Sequence, residues 1–154
     1  MKLEPGSKAP DFSLPTDGGG KLSLKSLLGK KVVLYFYPKD GTTGCTKEAI
    51  GFRDAMPEFE AADVTILGAS KDSPNSHDKF KADCNLPFNL LSDTNGTLCV
   101  NYGTWVQKDM YGKKYYGIER STFLIDEKGV IRRIWRKVKL AGHVADVLDT
   151  AKDI

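Results

Sequence analysis

The sequence predicts an α/β protein, a mixed central β-sheet flanked by helices and folded as one domain over residues 1–154. Three observations carry this reading. The length of 154 residues is close to the ~150 typical of a single ordinary domain. Short β-branched and aromatic runs alternate with amphipathic segments of helical period, the pattern of strand-helix units around a sheet. The last two strand-like runs are joined by a tight turn instead of a helix, which adds an antiparallel hairpin to that sheet.

Taken in order, the glycines of TDGGGK at 16–21 mark a turn between short extended pieces. They are not a phosphate cradle, because the following lysine-serine and the strand-to-helix setting are missing. KVVLYFY at 31–37 is apolar almost throughout, which suits a central strand covered on both faces, and Pro38 ends it. Ala49, Phe52, Met56 and Phe59 recur at helical spacing and give the next helix one buried face, with Gly51 and Pro57 set to weaken or bend it. VTILGAS at 64–70 repeats the buried-strand pattern. Ser73-Pro74 then supplies a cap oxygen and a ring already fixed at helical φ, and the helix stops near Asn85. PFNLLSD reads as a short strand, STFLID and VIRRIW flank the EKG turn as a hairpin, and Val144, Val147, Leu148 and Ala151 mark a C-terminal helix.

Composition narrows the function classes. With 40% hydrophobic and 28% charged residues the chain is an ordinary soluble globular protein rather than a disordered one. A net charge of +3 does not forecast a polyanionic partner. The strip RRIWRKVK at 132–139 holds five cations around an aromatic, but alternation along a hairpin edge explains it more simply than a nucleic-acid surface. No window approaches the ~18 apolar residues of a membrane span, and the N-terminus lacks a signal-peptide core, so no membrane role and a cytoplasmic location are expected. Asn95-Gly96-Thr97 is accordingly read as a turn and not a glycosylation site. His77 and His143 share no ligand spacing with the cysteines, and neither a metal nor another cofactor is expected.

The three cysteines, Cys45, Cys84 and Cys99, are scattered and form no C-x-x-C, so they read as thiols and not as a disulfide framework or a dithiol redox motif. Cys45 falls at or just before the first turn of the helix that follows the central strand. There the unpaired amides and the positive end of the helix dipole favour a thiolate, which is the nucleophilic form. Thr42 and Thr43 place hydroxyls beside it, and Pro38 closes one side without competing for hydrogen bonds. Position alone leaves two readings open, an activated nucleophile and a small buried residue.

The segment Pro38-Lys-Asp-Gly-Thr42-Thr-Gly-Cys45 resembles the Pro-x-x-x-Thr-x-x-Cys signature of peroxiredoxins, and its surroundings resemble the peroxiredoxin Q, or bacterioferritin comigratory protein, subfamily. The similarity extends over nearly the whole chain through GSKAPDFSLP, VVLYFYPKDGTTGCTKEA, FNLLSDTNG, NYGTW and ERSTFLIDEKG. It implies a thioredoxin-like fold and a thiol peroxidase that reduces hydrogen peroxide and organic hydroperoxides. By the resemblance Cys45 attacks the peroxide and becomes a sulfenic acid, while Pro38, Thr42 and Arg120 complete the site. The Thr42 hydroxyl, the amides near Gly44 and Cys45, and the Arg120 guanidinium are expected to donate to the peroxide oxygens as charge develops. Without the resemblance, Arg120 would read as half of a solvated Glu-Arg pair at the entrance of STFLID.

One departure stands out. Where many members of the subfamily carry a resolving cysteine five residues after the first, this chain has Ile50. Two routes stay open: Cys84, on the helix after VTILGAS, resolves the sulfenic acid, or an outside thiol does. Cys84 shares a buried face with His77 and Phe80, about one turn later than related resolving cysteines, so bridging requires local unwinding. Cys99 reads as a packed core residue. In either case the resemblance implies thioredoxin or a similar dithiol as final reductant, and a monomer. The rival reading from another class is a non-catalytic redox sensor or binding protein on the same fold.

Overall fold

The computed structural model describes residues 2–154. A five-stranded mixed sheet has the order β5-β4-β3-β8-β9, formed by β3 (Lys31–Phe36), β4 (Val64–Ser70), β5 (Asn89–Ser92), β8 (Ser121–Ile125) and β9 (Ile131–Trp135). β3, β4 and β5 are mutually parallel, and β8 and β9 add antiparallel to β3. β3 is central and its residues from Val32 to Phe36 are all buried, as its unbroken apolarity required.

The two faces of β3 feed two cores. Val33 and Tyr35 point into one with α1 (Thr43–Asp54), α2 (Met56–Ala61), α3 (Pro74–Cys84) and α5 (His143–Lys152), where Tyr35 stacks on Phe52 at 4.7 Å between ring centres. Val32, Leu34 and Phe36 point into the other with α4 (Thr97–Asn101), Phe12 and Leu24. An N-terminal ribbon of β1 (Ser13–Pro15) and β2 (Lys21–Ser23) encloses the expected glycine turn.

The expected bent helix is two helices, α1 and α2, that meet at Ala55, with Pro57 in the first turn of the second. α3 starts and stops where the sequence indicated: Ser73 Oγ accepts from the Ser76 amide, and Asn85 closes the helix at φ 52°. The basic strip begins on edge strand β9, where Arg133 covers the Trp135 ring and reaches Asp146, and its other part follows the strand, where Arg136 donates to the Tyr102 and Gly103 carbonyls. α4 and the two strands after it have no counterpart in the sequence reading. α4 follows Gly96, and a separate hairpin pairs β6 (Trp105–Met110) with β7 (Lys113–Ile118).

Candidate active site

The site forms where the C-terminal ends of the parallel strands meet the first turn of α1, the usual place for ligands in such sheets. β3 ends at Phe36, and the segment from Tyr37 to Thr42 leads directly into the helix. Cys45 occupies its third position and is only 1% exposed. The first intrahelical bond runs from the Thr46 amide to the Thr42 carbonyl at 2.9 Å. Helix geometry therefore leaves the amides before Thr46 without an intrahelical acceptor. Among the described residues no side chain caps them: Thr42, the N-cap residue, turns its hydroxyl to the Lys39 carbonyl at 2.9 Å.

Arg120 reaches the site from the other side of β3. Phe36 pairs with Ser121 in the antiparallel register, so residue 120 stands level with the end of β3 and the start of the Cys45 loop. Arg120 Nη2 lies 3.3 Å from Cys45 Sγ, and Nη1 lies 2.7 Å from Glu48 Oε1. The reading of Arg120 as a solvated surface residue fails, because its guanidinium is half-buried between the two side chains. Gly44 leaves room for this approach. A Cβ at residue 44 would stand 3.2 Å from Arg120 Nη2, so the arginine would have to give way.

Sequence reasoning missed Glu48. It lies one helical turn after Cys45 on the same face, and its carboxyl is fully buried. Burial pushes that carboxyl up to about 7, against the opposing pull of Arg120. Its second oxygen, Oε2, is buried with no partner among the described residues, so it is where a proton can reside without breaking an existing bond. Glu48 and Cys45 together keep Arg120 above the ordinary guanidinium value, despite its own burial. The available signal was the i, i+3 spacing of a charged residue on an otherwise apolar helix face.

Of the residues singled out from sequence, Cys45 and Arg120 are in contact, Thr42 stands at the N-cap position of the same helix without capping its amides, and Pro38 is exposed where β3 ends. The Thr42 hydroxyl, expected as a donor, has its proton committed to Lys39, which leaves its oxygen as an acceptor. Cys84 is not brought to Cys45. It is the last residue of α3, and Arg53 Nη1, near the far end of α1, donates to its carbonyl at 2.8 Å. Residues 45 and 53 lie roughly 12 Å apart along a helix axis. Burial raises the Cys84 thiol, and Cys99, fully buried, is pushed up to about 12 by burial and Asp93.

The chain matches known proteins over its whole length. The AhpC/TSA family model covers residues 5–134. A relative in Coxiella burnetii that bears the peroxiredoxin bcp name is 60% identical over 148 residues, 96% of this chain and 98% of that protein. Peroxiredoxin Bcp of Bacillus subtilis is 50% identical over 154 residues, 100% of this chain and 98% of its own. The bacterioferritin comigratory protein of Xanthomonas campestris, studied for alkyl peroxide reduction activity, superposes with a TM-score of 0.91 at 44% identity, covering 98% of this chain and 96% of that one. A thiol buried at a helix start against an arginine therefore sits in a thioredoxin-like fold that these relatives share, and the chain belongs to the AhpC/TSA family as a peroxiredoxin of the Bcp, or peroxiredoxin Q, type.

Proposed function

We propose that the thiol-dependent peroxidase activity of this peroxiredoxin is carried by Cys45, with Arg120, Thr42 and the first-turn amides of α1 as its peroxide-binding groups and Pro38 at the mouth. The observation that supports this most directly is the 3.3 Å approach of Arg120 Nη2 to Cys45 Sγ beside uncapped helix amides. The Cys45 thiolate attacks one peroxide oxygen in line with the O–O bond. The sulfur is oxidised to sulfenic acid as that bond breaks, and the second oxygen leaves as hydroxide or alkoxide and takes up a proton. Arg120 and the helix amides donate toward the oxygens while charge develops, and the Thr42 oxygen accepts from the peroxide hydroxyl. Hydrogen peroxide and organic hydroperoxides are the substrates of this reading.

Resolution by an external thiol is the route the placement of Cys84 supports. α3 is tied by Lys81 to Asp17 at 2.7 Å, by Asp78 to the Gly18 amide at 2.6 Å and by Arg53 to the Cys84 carbonyl. Each tie would have to yield for Cys84 to travel. A dithiol of the thioredoxin kind is the fitting reductant, and the monomer suffices for every step. Among the described residues no helix is long and apolar enough to cross a membrane. The cytoplasm, where dithiols are kept reduced, is the compartment this reading assigns.

The test is Cys45→Ser in a peroxide-consumption assay coupled to a thiol reductant. Consumption is expected to fall to the uncatalysed background, and an unchanged rate would falsify the assignment.

A further inference from the structure

The loop that presents Cys45 is held from behind by a buried charge pair which the chemistry above does not use. His77, on α3, is fully buried. Its Nδ1 lies 2.7 Å from Asp40 Oδ2, and its Nε2 lies 2.9 Å from the Leu91 carbonyl oxygen on β5. Neither a carboxylate nor a carbonyl can donate, so a neutral ring would aim one lone pair at an acceptor, whichever tautomer it took. Both ring nitrogens therefore carry protons. Asp40 keeps its charge because two further donors converge on it, Tyr37 Oη at 2.6 Å and Ser76 Oγ at 2.8 Å. Its own amide donates to Asp72 Oδ2 at 2.8 Å. Asp40 is thus bound to the end of β3, to α3 and to the turn after β4, only five residues before Cys45.

We propose that His77 and Asp40 are positioning residues for the peroxidase reaction: their buried ion pair clamps the segment from Pro38 to Thr42 against α3 and so keeps the first turn of α1 wound around Cys45. The proposal rests on the assignment of Cys45 as the attacking thiol. It extends the site from the residues that touch peroxide to the pair that fixes their backbone, and it gives that fixing a pH dependence.

The groups that face His77 are Asp40 from the loop, Asp72 from the turn after β4 and Tyr37, the residue just after β3. Burial alone would lower the His77 value, but the Asp40 bond and charge, the Leu91 carbonyl and Asp72 outweigh it and raise the ring above its ordinary value. Burial likewise opposes the Asp40 charge, and its donors from His77, Tyr37 and Ser76 outweigh that in turn and lower it. Burial, with Tyr35 and Asp40, raises Tyr37, which stays a neutral donor. Because the folded His77 value is raised, the clamp is fully present below the ordinary imidazole value of ~6.5 and is lost as pH rises through the higher folded value.

The test follows Cys45 oxidation by hydrogen peroxide in the reduced full chain by stopped flow, comparing wild type with His77→Gln and Asp40→Asn from about pH 6 to about pH 9, a range that spans imidazole titration. Both variants are expected to be slower by roughly tenfold at the acid end, where a loosened catalytic geometry shows. The gap should close toward alkaline pH, where wild type has lost the clamp as well. A gap that stays constant with pH, or no gap at all, overturns the proposal. Slow wild-type oxidation of Cys45 itself would remove the underlying assignment instead, a different failure. Should the variants not fold, nitrogen NMR of wild-type His77 at neutral pH decides: two protonated ring nitrogens support the clamp, and a neutral ring overturns it.

Discussion

Cys45 and Cys99 occupy the same local position, the third residue of a helix, and both are buried, yet their surroundings are opposite. At α4 the first-turn amides are already filled by an anion. The Asp93 carboxylate accepts from the Leu98 amide at 3.0 Å and from the Cys99 amide at 2.9 Å, and its charge helps push the Cys99 thiol up to about 12. At α1 no side chain among the described residues caps the amides, and a guanidinium stands 3.3 Å from the sulfur. A helix N-terminus does not by itself make a reactive cysteine. What occupies the other donors and which charge faces the sulfur decide it.

The strongest way to break this contrast is to remove the cation. Arg120→Met should lower kcat/KM for hydrogen peroxide by roughly 100-fold, the scale of losing a preformed donor to developing charge. A loss below about threefold, measured by steady-state kinetics, would mean that the helix amides act alone. The same substitution leaves Glu48 without its partner, which is tolerable because burial already holds that carboxyl near neutrality.

Glu48 sharpens the comparison through pH. Its folded value of about 7 lies above the ordinary carboxyl value of 4.5, so it binds more protons folded than unfolded. Its contribution to stability is fully present below pH 4.5 and is lost as pH rises through about 7. Denaturant titrations should therefore show wild type losing stability relative to Glu48→Gln across that window, by no more than ~3 kcal/mol. A difference that is flat with pH would contradict the buried, proton-holding carboxyl. The smallest effect is expected at the control site. Asp93→Ala removes the cap of α4 and should cost about 2 kcal/mol of stability while peroxide turnover stays within about twofold. A large fall in turnover would tie α4 to the chemistry.

How far the sequence was readable follows the same physics. The core strands were legible because β3 and β4 are buried on both faces and carry unbroken apolar runs. The helix starting at Pro74 was legible from its cap. The β6–β7 hairpin was not, because half of β6 and most of β7 are exposed and neither strand shows an apolar alternation; its two-residue turn is Tyr111-Gly112, with φ of 53° and 79°, in place of the usual Asn-Gly signal. The motif from Pro38 to Cys45 pointed to the site, and Arg120 was reached by resemblance alone, since nothing local in Glu119-Arg120 distinguishes it from a surface pair. Glu48 carried a weak signal in its spacing from Cys45. Asp40 and His77 carried none, since they are 37 residues apart and only the fold brings them together.

The measurement that bears most directly on the contrast between Cys45 and Cys99 is to add one equivalent of hydrogen peroxide to the fully reduced chain and map the oxidised cysteine by peptide mass. Rapid oxidation confined to Cys45, with Cys84 and Cys99 recovered as free thiols, is the predicted result. A Cys45–Cys84 disulfide would keep Cys45 as the attacking thiol and replace the external route of resolution. Slow loss spread over all three cysteines would contradict the account, because it would mean that the arginine and the uncapped helix turn confer nothing on Cys45.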